Sequence, residues 1–124
     1  MKFSIDKQEK YSVFKLEDEK LNSVLAPSLK SEMIVLNAEG VKNIIFDMSG
    51  IRFVDSSGLS SILIANRLCK GVGGSLILCK VNDNVLKLIK ISQLDSILTI
   101  IPTQEEAVEL VMMEELEREL KAKN

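Results

Sequence analysis

The sequence predicts an α/β fold in which a mixed β-sheet of about five strands packs against about four helices. Three observations support this prediction. Strand-like segments alternate with segments of helical spacing, which is typical of chains with crossover connections. Residues 44–46 and 76–79 are continuously apolar, as in strands that are covered on both faces. A short polar turn joins the first two strand-like segments, which indicates that the sheet is mixed.

The N-terminal third supplies two strands and the first helix. Apolar and polar residues alternate at residues 3–7 and 11–16. Either Asn22 or Ser23 can cap the helix that follows, Pro27 fits its first turn, and Glu39-Gly40 ends it. The predicted buried face of this helix has four residues at helical spacing: Leu25, Leu29, Met33 and Leu36.

The middle of the chain supplies two central strands and two helices. A strand within residues 41–48 precedes a loop at residues 49–54 and a second helix from about residue 57 to residue 70. Glycines within residues 71–74 stop that helix, and the order helix, glycines, strand argues against a phosphate-binding loop. A strand at residues 76–79, a short helix at 84–90 and a last strand at 97–101 complete this part.

The final helix begins with a capping box, with Thr103 as N-cap and Glu106 reaching back to it. Residues 114–123 are so rich in charge that we expect the end of this helix to project into solvent or to pack on a second chain as a homodimer. The predicted apolar stripe of the helix is Ala107, Leu110, Met113, Leu116 and Leu120.

Composition excludes several kinds of catalytic site. The chain contains no histidine, so Ser-His-Asp, Cys-His and His-containing zinc sites are impossible. Cys69 and Cys79 lack CxxC spacing, and we interpret them as buried free thiols. Asp47 and Asp55 could pair as carboxylates, but no third ligand accompanies them. We therefore expect no metal, no cofactor and no enzymatic activity.

Composition also limits the partners and the location. The formal net charge is −2 and aromatic residues make up 4% of the chain, which disfavours direct binding to nucleic acid. No apolar run approaches the length of a membrane span, and the first residues do not resemble a signal peptide. We expect a cytoplasmic protein that does not bind membranes.

The segment from Asp55 to Leu59 is the strongest candidate for a functional site. Asp and Ser are the residues that cap helices, so the segment can be a helix cap and nothing more. However, three small polar residues stand where one would suffice, and Gly58 costs stability at a helix start. Small residues there let another molecule approach the backbone, and a helix N-terminus tolerates a phosphate. The pattern alone leaves both interpretations open.

Residues 44–59 resemble the signature of STAS domains, and among these the free-standing bacterial anti-sigma-factor antagonists in particular. In that family an apolar strand ends in Asp, a short loop carries an aromatic residue, and Asp-Ser-(Ser/Thr/Ala)-Gly-Leu opens a helix. Asp47, Phe53 and the segment from Asp55 to Leu59 match this order. Residues 92–98 and 103–107 fit as well. The resemblance implies a STAS fold over residues 1–112, followed by a charged extension of the last helix at residues 113–124.

The resemblance implies a partner-switching function. The serine directly after the Asp is the phosphate acceptor in that family, which here is Ser56. An anti-sigma factor that is itself a serine kinase binds the unphosphorylated antagonist and so releases its sigma factor for transcription, while a serine phosphatase resets the switch. The expected partner contacts lie in the loop at residues 49–54 and at five residues of the motif and helix start: Asp55, Ser57, Gly58, Leu59 and Ile62.

Two other functions remain open from the sequence. The chain could be a STAS subunit of a lipid-transport or sensory, stressosome-like assembly that binds its partners constitutively, without a phosphorylation switch. It could also be an enzyme or small-ligand carrier that uses the same helix N-terminus as an anion site. The missing histidine and the lack of a second catalytic cluster argue against this last function.

Overall fold

The computed structural model describes residues 1–123 and contains a five-stranded mixed sheet with four helices. The strands of this sheet lie in the order β1-β2-β4-β6-β7, with β1 antiparallel to β2 and all other neighbours parallel. The predicted fold class is therefore confirmed. The elements are β1 (Phe3–Lys7), β2 (Ser12–Leu16), β3 (Lys20–Leu21), α1 (Ala26–Ala38), β4 (Ile44–Asp47), β5 (Phe53–Val54), α2 (Ser56–Gly71), β6 (Leu76–Cys79), α3 (Asp83–Ile91), β7 (Thr99–Ile101) and α4 (Gln104–Ala122).

The sheet is covered by helices on both faces. Along β4 the side chains alternate, so that Ile44 and Phe46 join the larger core with α1, α2 and α3, while Ile45 joins a smaller core beneath α4. In β6, Leu76 and Leu78 face the larger core and Ile77 faces the smaller one. This double burial explains why both strands read as continuous apolar runs.

A second, two-stranded sheet was not predicted. β3 and β5 pair in parallel, with Lys20 opposite Phe53 and Leu21 opposite Val54. The predicted loop at residues 49–54 therefore ends in a short strand. Two-residue strands are too short for an alternating pattern to show in the sequence, so only the pairing reveals them.

The start of α1 differs from the prediction. Leu25 is the N-cap residue and its side chain accepts no hydrogen bond. Asn22 instead closes the turn that precedes the helix, because its Oδ1 accepts from the amides of Val24 at 3.0 Å and Leu25 at 3.3 Å. The buried face follows the predicted spacing, with Leu25 only partly buried and Ala26 added; its members are Ala26, Leu29, Met33 and Leu36.

The start of α4 is capped as predicted, with one difference. The hydroxyl oxygen of Thr103 accepts from the amide of Glu106 at 3.1 Å. The carboxylate of Glu106 accepts from the hydroxyl of Thr103, also at 3.1 Å, rather than from its backbone amide. The preceding strand β7 is shorter than predicted, because a 3-10 turn at Leu94–Ser96 precedes it.

The buried face of α4 is not the predicted apolar stripe. Ala107, Val111 and Glu115 are buried against the sheet, while Met113, Leu116 and Leu120 are exposed. Of the predicted stripe, only Ala107 is buried and Leu110 partly buried. The predicted stripe advances mainly in steps of three residues and so moves around the helix away from Ala107, whereas the buried face advances in steps of four and includes Val111 and Glu115.

A polar network holds the second half of α4 to the sheet. The Oε1 of Glu115 accepts from the side-chain amide of Asn43 at 2.6 Å and from Arg118 at 3.0 Å. Arg118 also donates to Ser75 at 2.8 Å and to Glu114 at 3.1 Å. Asn43 and Ser75 directly precede β4 and β6, so the network closes the amino-terminal edge of the sheet.

This network bears on the expected extension at residues 113–124. The helix runs without interruption through residue 113, and residues 114–118 are tied to the sheet. The exposed end of the chain begins after Arg118, and residue 124 lies outside the described residues.

Candidate functional site

Asp55 organises the candidate site with both of its carboxylate oxygens. It follows β5 and is the N-cap of α2. Its Oδ1 accepts from the amide of Gly58 at 2.9 Å, and its Oδ2 accepts from the amide of Ser23 at 3.1 Å. The amide of Asp55 in turn donates to the carbonyl of Leu21 at 3.2 Å. Asp55 therefore caps α2 and also fixes the loop that leads into α1.

Ser56 is the first residue of α2 and its side chain is exposed to solvent. The helix thus begins one residue earlier than predicted, with Ser56 inside its first turn. Ser57 follows and is half-buried. The first-turn amides of a helix carry partial positive charge, which favours an anion at this position. Ser56 therefore lies in the first turn of α2, directly after Asp55, whose carboxylate caps the helix.

Gly58 has a different role from the one expected. It is buried, and a Cβ at this position would lie 2.1 Å from the carbonyl oxygen of Leu21. The close approach that Gly58 permits is therefore that of this chain's own strand β3, not that of another molecule. The expectation that Gly58 contacts a partner is corrected for this reason.

The same correction applies to Leu59 and Ile62. Leu59 is 6% exposed and Ile62 is fully buried, and both belong to the larger core. They anchor the start of α2 on the sheet, because they lie on the helix face opposite the solvent. Their side chains are not available to a partner, so only Asp55, Ser56 and Ser57 of the predicted site residues remain at or near the surface.

Two exposed apolar side chains lie near the site, and Val24 was not singled out from the sequence. Val24 is 78% exposed and follows Ser23, whose amide is bound by Asp55. Phe53 is 55% exposed and lies in β5, two residues before Asp55. The predicted contact loop at residues 49–54 does include Phe53. The signal that could have identified Val24 is an apolar residue directly after two polar ones, Asn22 and Ser23, in a short connection.

Asp47 ends β4 at the same edge of the sheet. Burial raises the pKa of this carboxyl, but hydrogen bonds from Ser49 and the positive charges of Lys80 and Lys15 outweigh burial and hold the pKa below its usual value. The amide of Ser49 donates to Oδ1 at 2.9 Å and the ammonium of Lys80 lies 3.8 Å from Oδ2. The Asp47 carboxylate therefore has a partner for each oxygen, and its hydrogen bond from Ser49 orders the start of the loop before the site.

The residues described here offer no ready metal site. Within residues 1–123, no group of three or more Asp, Glu, Cys or His side chains is placed to hold a metal ion. None of the helices in this range is both long and apolar enough to cross a membrane.

Comparison with known proteins assigns the chain to one family. The sequence model of the STAS domain matches residues 2–107, and the chain belongs to the STAS domain family. A protein of Bordetella bronchiseptica named "Putative anti-sigma factor antagonist BtrV" is 26% identical over 107 residues, which cover 86% of this chain and 91% of that protein. The predicted family resemblance is therefore confirmed.

Solved structures share the fold of this chain. A Thermotoga maritima protein described as a "putative anti-sigma factor antagonist" superposes with a TM-score of 0.79 at 26% identity. The match covers 89% of this chain and 94% of that one. The Bacillus cell fate determinant SpoIIAA in its phosphorylated form gives a TM-score of 0.69 at 24% identity over 89% and 99% of the two chains. The murine Slc26a9 anion transporter contains the same fold, with a TM-score of 0.72 at 17% identity, over 87% of this chain and 18% of the transporter.

Proposed function

We propose that this protein is an anti-sigma-factor antagonist whose binding to an anti-sigma serine kinase is switched off by phosphorylation of Ser56. The observation that carries the proposal is the exposed hydroxyl of Ser56 at the first position of α2, directly after the N-cap Asp55. The similarity to BtrV and to the Thermotoga protein supports the assignment of the partner class. In this function the chain is a binding module, and the kinase supplies the catalysis.

In the phosphorylation step, the Oγ of Ser56 attacks the γ-phosphorus of ATP. The new O–P bond forms as the bond to ADP breaks, and the hydroxyl proton is released. The product carries an added charge of about −1.5 to −2 and three acceptor oxygens. The start of α2 stabilises that charge by about 0.3–1 kcal/mol, while the neighbouring Asp55 repels it. Because these effects oppose each other, we expect the fold to change little.

The switch then acts through desolvation at the interface. A partner that covers Ser56 must remove water from the phosphate, and burying an uncompensated charge costs far more than the local repulsion. Val24 and Phe53 are apolar and exposed near Ser56. In the unphosphorylated protein, a partner can bury these two side chains in the interface. We place the partner contacts at Val24, Phe53, Asp55, Ser56 and Ser57, and the anti-sigma kinase and a serine phosphatase as successive partners.

The direct test incubates the protein with the anti-sigma kinases of its host, ATP and Mg²⁺, and locates the phosphate by mass spectrometry. We expect one phosphate, on Ser56, which is absent from Ser56→Ala. Ser60→Ala is the matched control, since Ser60 is an exposed serine one turn further along α2. Phosphate on another residue, or on none with every kinase, overturns the proposal.

A binding measurement tests the consequence of phosphorylation. We expect phosphorylated protein and Ser56→Asp to bind the kinase at least about tenfold more weakly than the unmodified protein. Phe53→Ala should also weaken binding, without introducing a charge. A Ser56→Asp variant that binds as tightly as wild type would argue against the switch.

A second candidate function keeps the fold and lacks the switch. Slc26a9 is a transporter that contains the same fold. The exposed apolar face of α4 is also suited to a subunit that is bound within a larger assembly. In that case binding to the assembly would be unaffected by Ser56→Asp. The same binding measurement therefore separates the two functions.

A further inference from the structure

Large apolar side chains line the exposed face of α4. We propose that α4 pairs antiparallel with α4 of a second copy of this chain, through Met113, Leu116 and Leu120, which we call the α4 stripe. The α4 stripe includes none of the residues around Ser56, so this pairing is independent of the function of that serine.

The α4 stripe consists of large apolar side chains that the fold leaves in solvent. Met113 is 61% exposed, Leu116 is 57% exposed and Leu120 is 56% exposed. Their spacing of three and four residues is that of a helix-pairing seam. Contiguous apolar surface of this kind usually marks an interaction site on a soluble protein.

The opposite side of the helix is already fixed, so the α4 stripe cannot turn inward. Val111 and Glu115 face the sheet, and Glu115 is bonded to Asn43 at 2.6 Å. Arg118 anchors the next turn through Ser75 at 2.8 Å. The α4 stripe is therefore held in one orientation before any partner binds, which lowers the entropy cost of association.

Charges at the two ends of the seam select the partner and its direction. Continuing the same spacing places Glu109 four residues before Met113 and Lys123 three residues after Leu120, and both are exposed. An antiparallel second copy centred on Leu116 brings Glu109 opposite Lys123 and places Met113 within one residue of Leu120. A parallel copy would set glutamate against glutamate, and like charges at such positions destabilise pairing. At these two ends the helix is therefore complementary to itself in the antiparallel direction.

The position of the α4 stripe leaves the Ser56 surface free. α4 starts beyond the carboxyl end of β7 and runs back, so its second half meets Asn43 and Ser75 at the amino-terminal edge of the sheet. Ser56 follows β4 and β5 at the other edge. A dimer through α4 can therefore carry two Ser56 surfaces at once.

The interface is small, so the dimer should depend on concentration. Three apolar positions and two symmetry-related ion pairs bury less than a standard protein interface. Sedimentation equilibrium of the full chain from about 10 μM to about 1 mM should show a monomer–dimer equilibrium. A chain that stays monomeric over this range overturns the proposal that the α4 stripe binds a second copy.

Substitutions test whether the α4 stripe forms the interface. Leu116→Glu should weaken dimerisation by more than about tenfold. Ile91→Glu is the matched control, because Ile91 is 80% exposed on α3, and it should leave the equilibrium unchanged. Equal effects of the two substitutions, or none from Leu116→Glu, contradict the proposal.

Charge reversal tests the antiparallel direction. Glu109→Lys and Lys123→Glu should each weaken the dimer several-fold, and the double variant should restore it, since each reversed charge again meets its opposite. Circular dichroism establishes that all variants remain folded. A double variant no tighter than the single variants overturns the antiparallel arrangement.

Discussion

The carbonyl oxygen of Leu21 occupies the space that a side chain on Gly58 would need. A Cβ built on Gly58 would lie 2.1 Å from this oxygen and 2.9 Å from the carbonyl carbon and Cγ of Leu21. Because backbone atoms of β3 form the obstacle, a flexible side chain cannot simply move aside. The glycine of the Asp-Ser-Ser-Gly segment is therefore required by packing against β3.

The first prediction follows from this contact. Gly58→Ala should destabilise the fold by at least about 2 kcal/mol, since overpacking against backbone exceeds the gain of about 1 kcal/mol in helix propensity. Urea denaturation measures the change. Gly71→Ala in the same helix is the matched control, because nothing lies within 4 Å of its Cβ position, and it should be neutral or slightly stabilising. Equal stabilities of the two variants would show that the backbone of β3 can move away and make room for a side chain at residue 58.

The second prediction concerns the two hydrogen bonds of Asp55. Asp55→Ala removes the cap on Gly58 and the contact to Ser23, and should cost about 1–2 kcal/mol in unfolding free energy. Asp55→Asn keeps an oxygen that can accept from Gly58 and should cost less. Asp95→Ala, at another exposed carboxylate, should change stability by less than about 0.5 kcal/mol. A loss in Asp55→Asn as large as in Asp55→Ala would mean that the charge, not the cap, is what matters.

The third prediction is a pH dependence that depends on Glu115. A hydrogen bond from Asn43 lowers the pKa of Glu115 from its ordinary value of 4.5; burial opposes this, and the charges of Lys42 and Arg118 reinforce it. The pKa is lower in the folded state, so the stabilisation is present above pH 4.5 and is lost as the pH falls through the folded-state pKa. Glu115→Gln should therefore cost about 1–3 kcal/mol near pH 7, and the difference from wild type should shrink below pH 4.5.

Denaturation curves at several pH values test this dependence. Glu117→Gln is the control, since Glu117 is an exposed carboxylate on the same helix. Its difference from wild type should stay small at every pH. A Glu115→Gln penalty that does not vary with pH would assign the effect to packing rather than to charge.

The fourth prediction concerns the two thiols. Burial raises the pKa of Cys69 and of Cys79 to about 11, and the charge of Asp47 adds to the effect at Cys79. At pH 8 the thiolate fraction should be roughly 100-fold below that of a free cysteine, so a thiol reagent should modify the native protein very slowly. Both thiols should react at once in denaturant. Rapid modification of the native chain would indicate frequent opening of the core around β6 and α2.

The sequence by itself determined the class of fold and the place of Ser56 near the start of a helix. The alternation of element types, the continuous apolar runs of β4 and β6, and the Thr103 cap are local properties, so they could be read directly. The place of Ser56 at a helix start was equally local, because Asp and Ser cap helices through contacts within one turn.

Only the tertiary structure decided which faces are buried. On α4, both the predicted stripe and the observed buried face have helical spacing, and the choice between them depends on Asn43 and Ser75, which are distant in sequence. Gly58, Leu59 and Ile62 turned out to be packing residues because β3 and the sheet lie against them. A sequence pattern gives the period of a helix, whereas the contacts that select its inner face come from elsewhere in the chain.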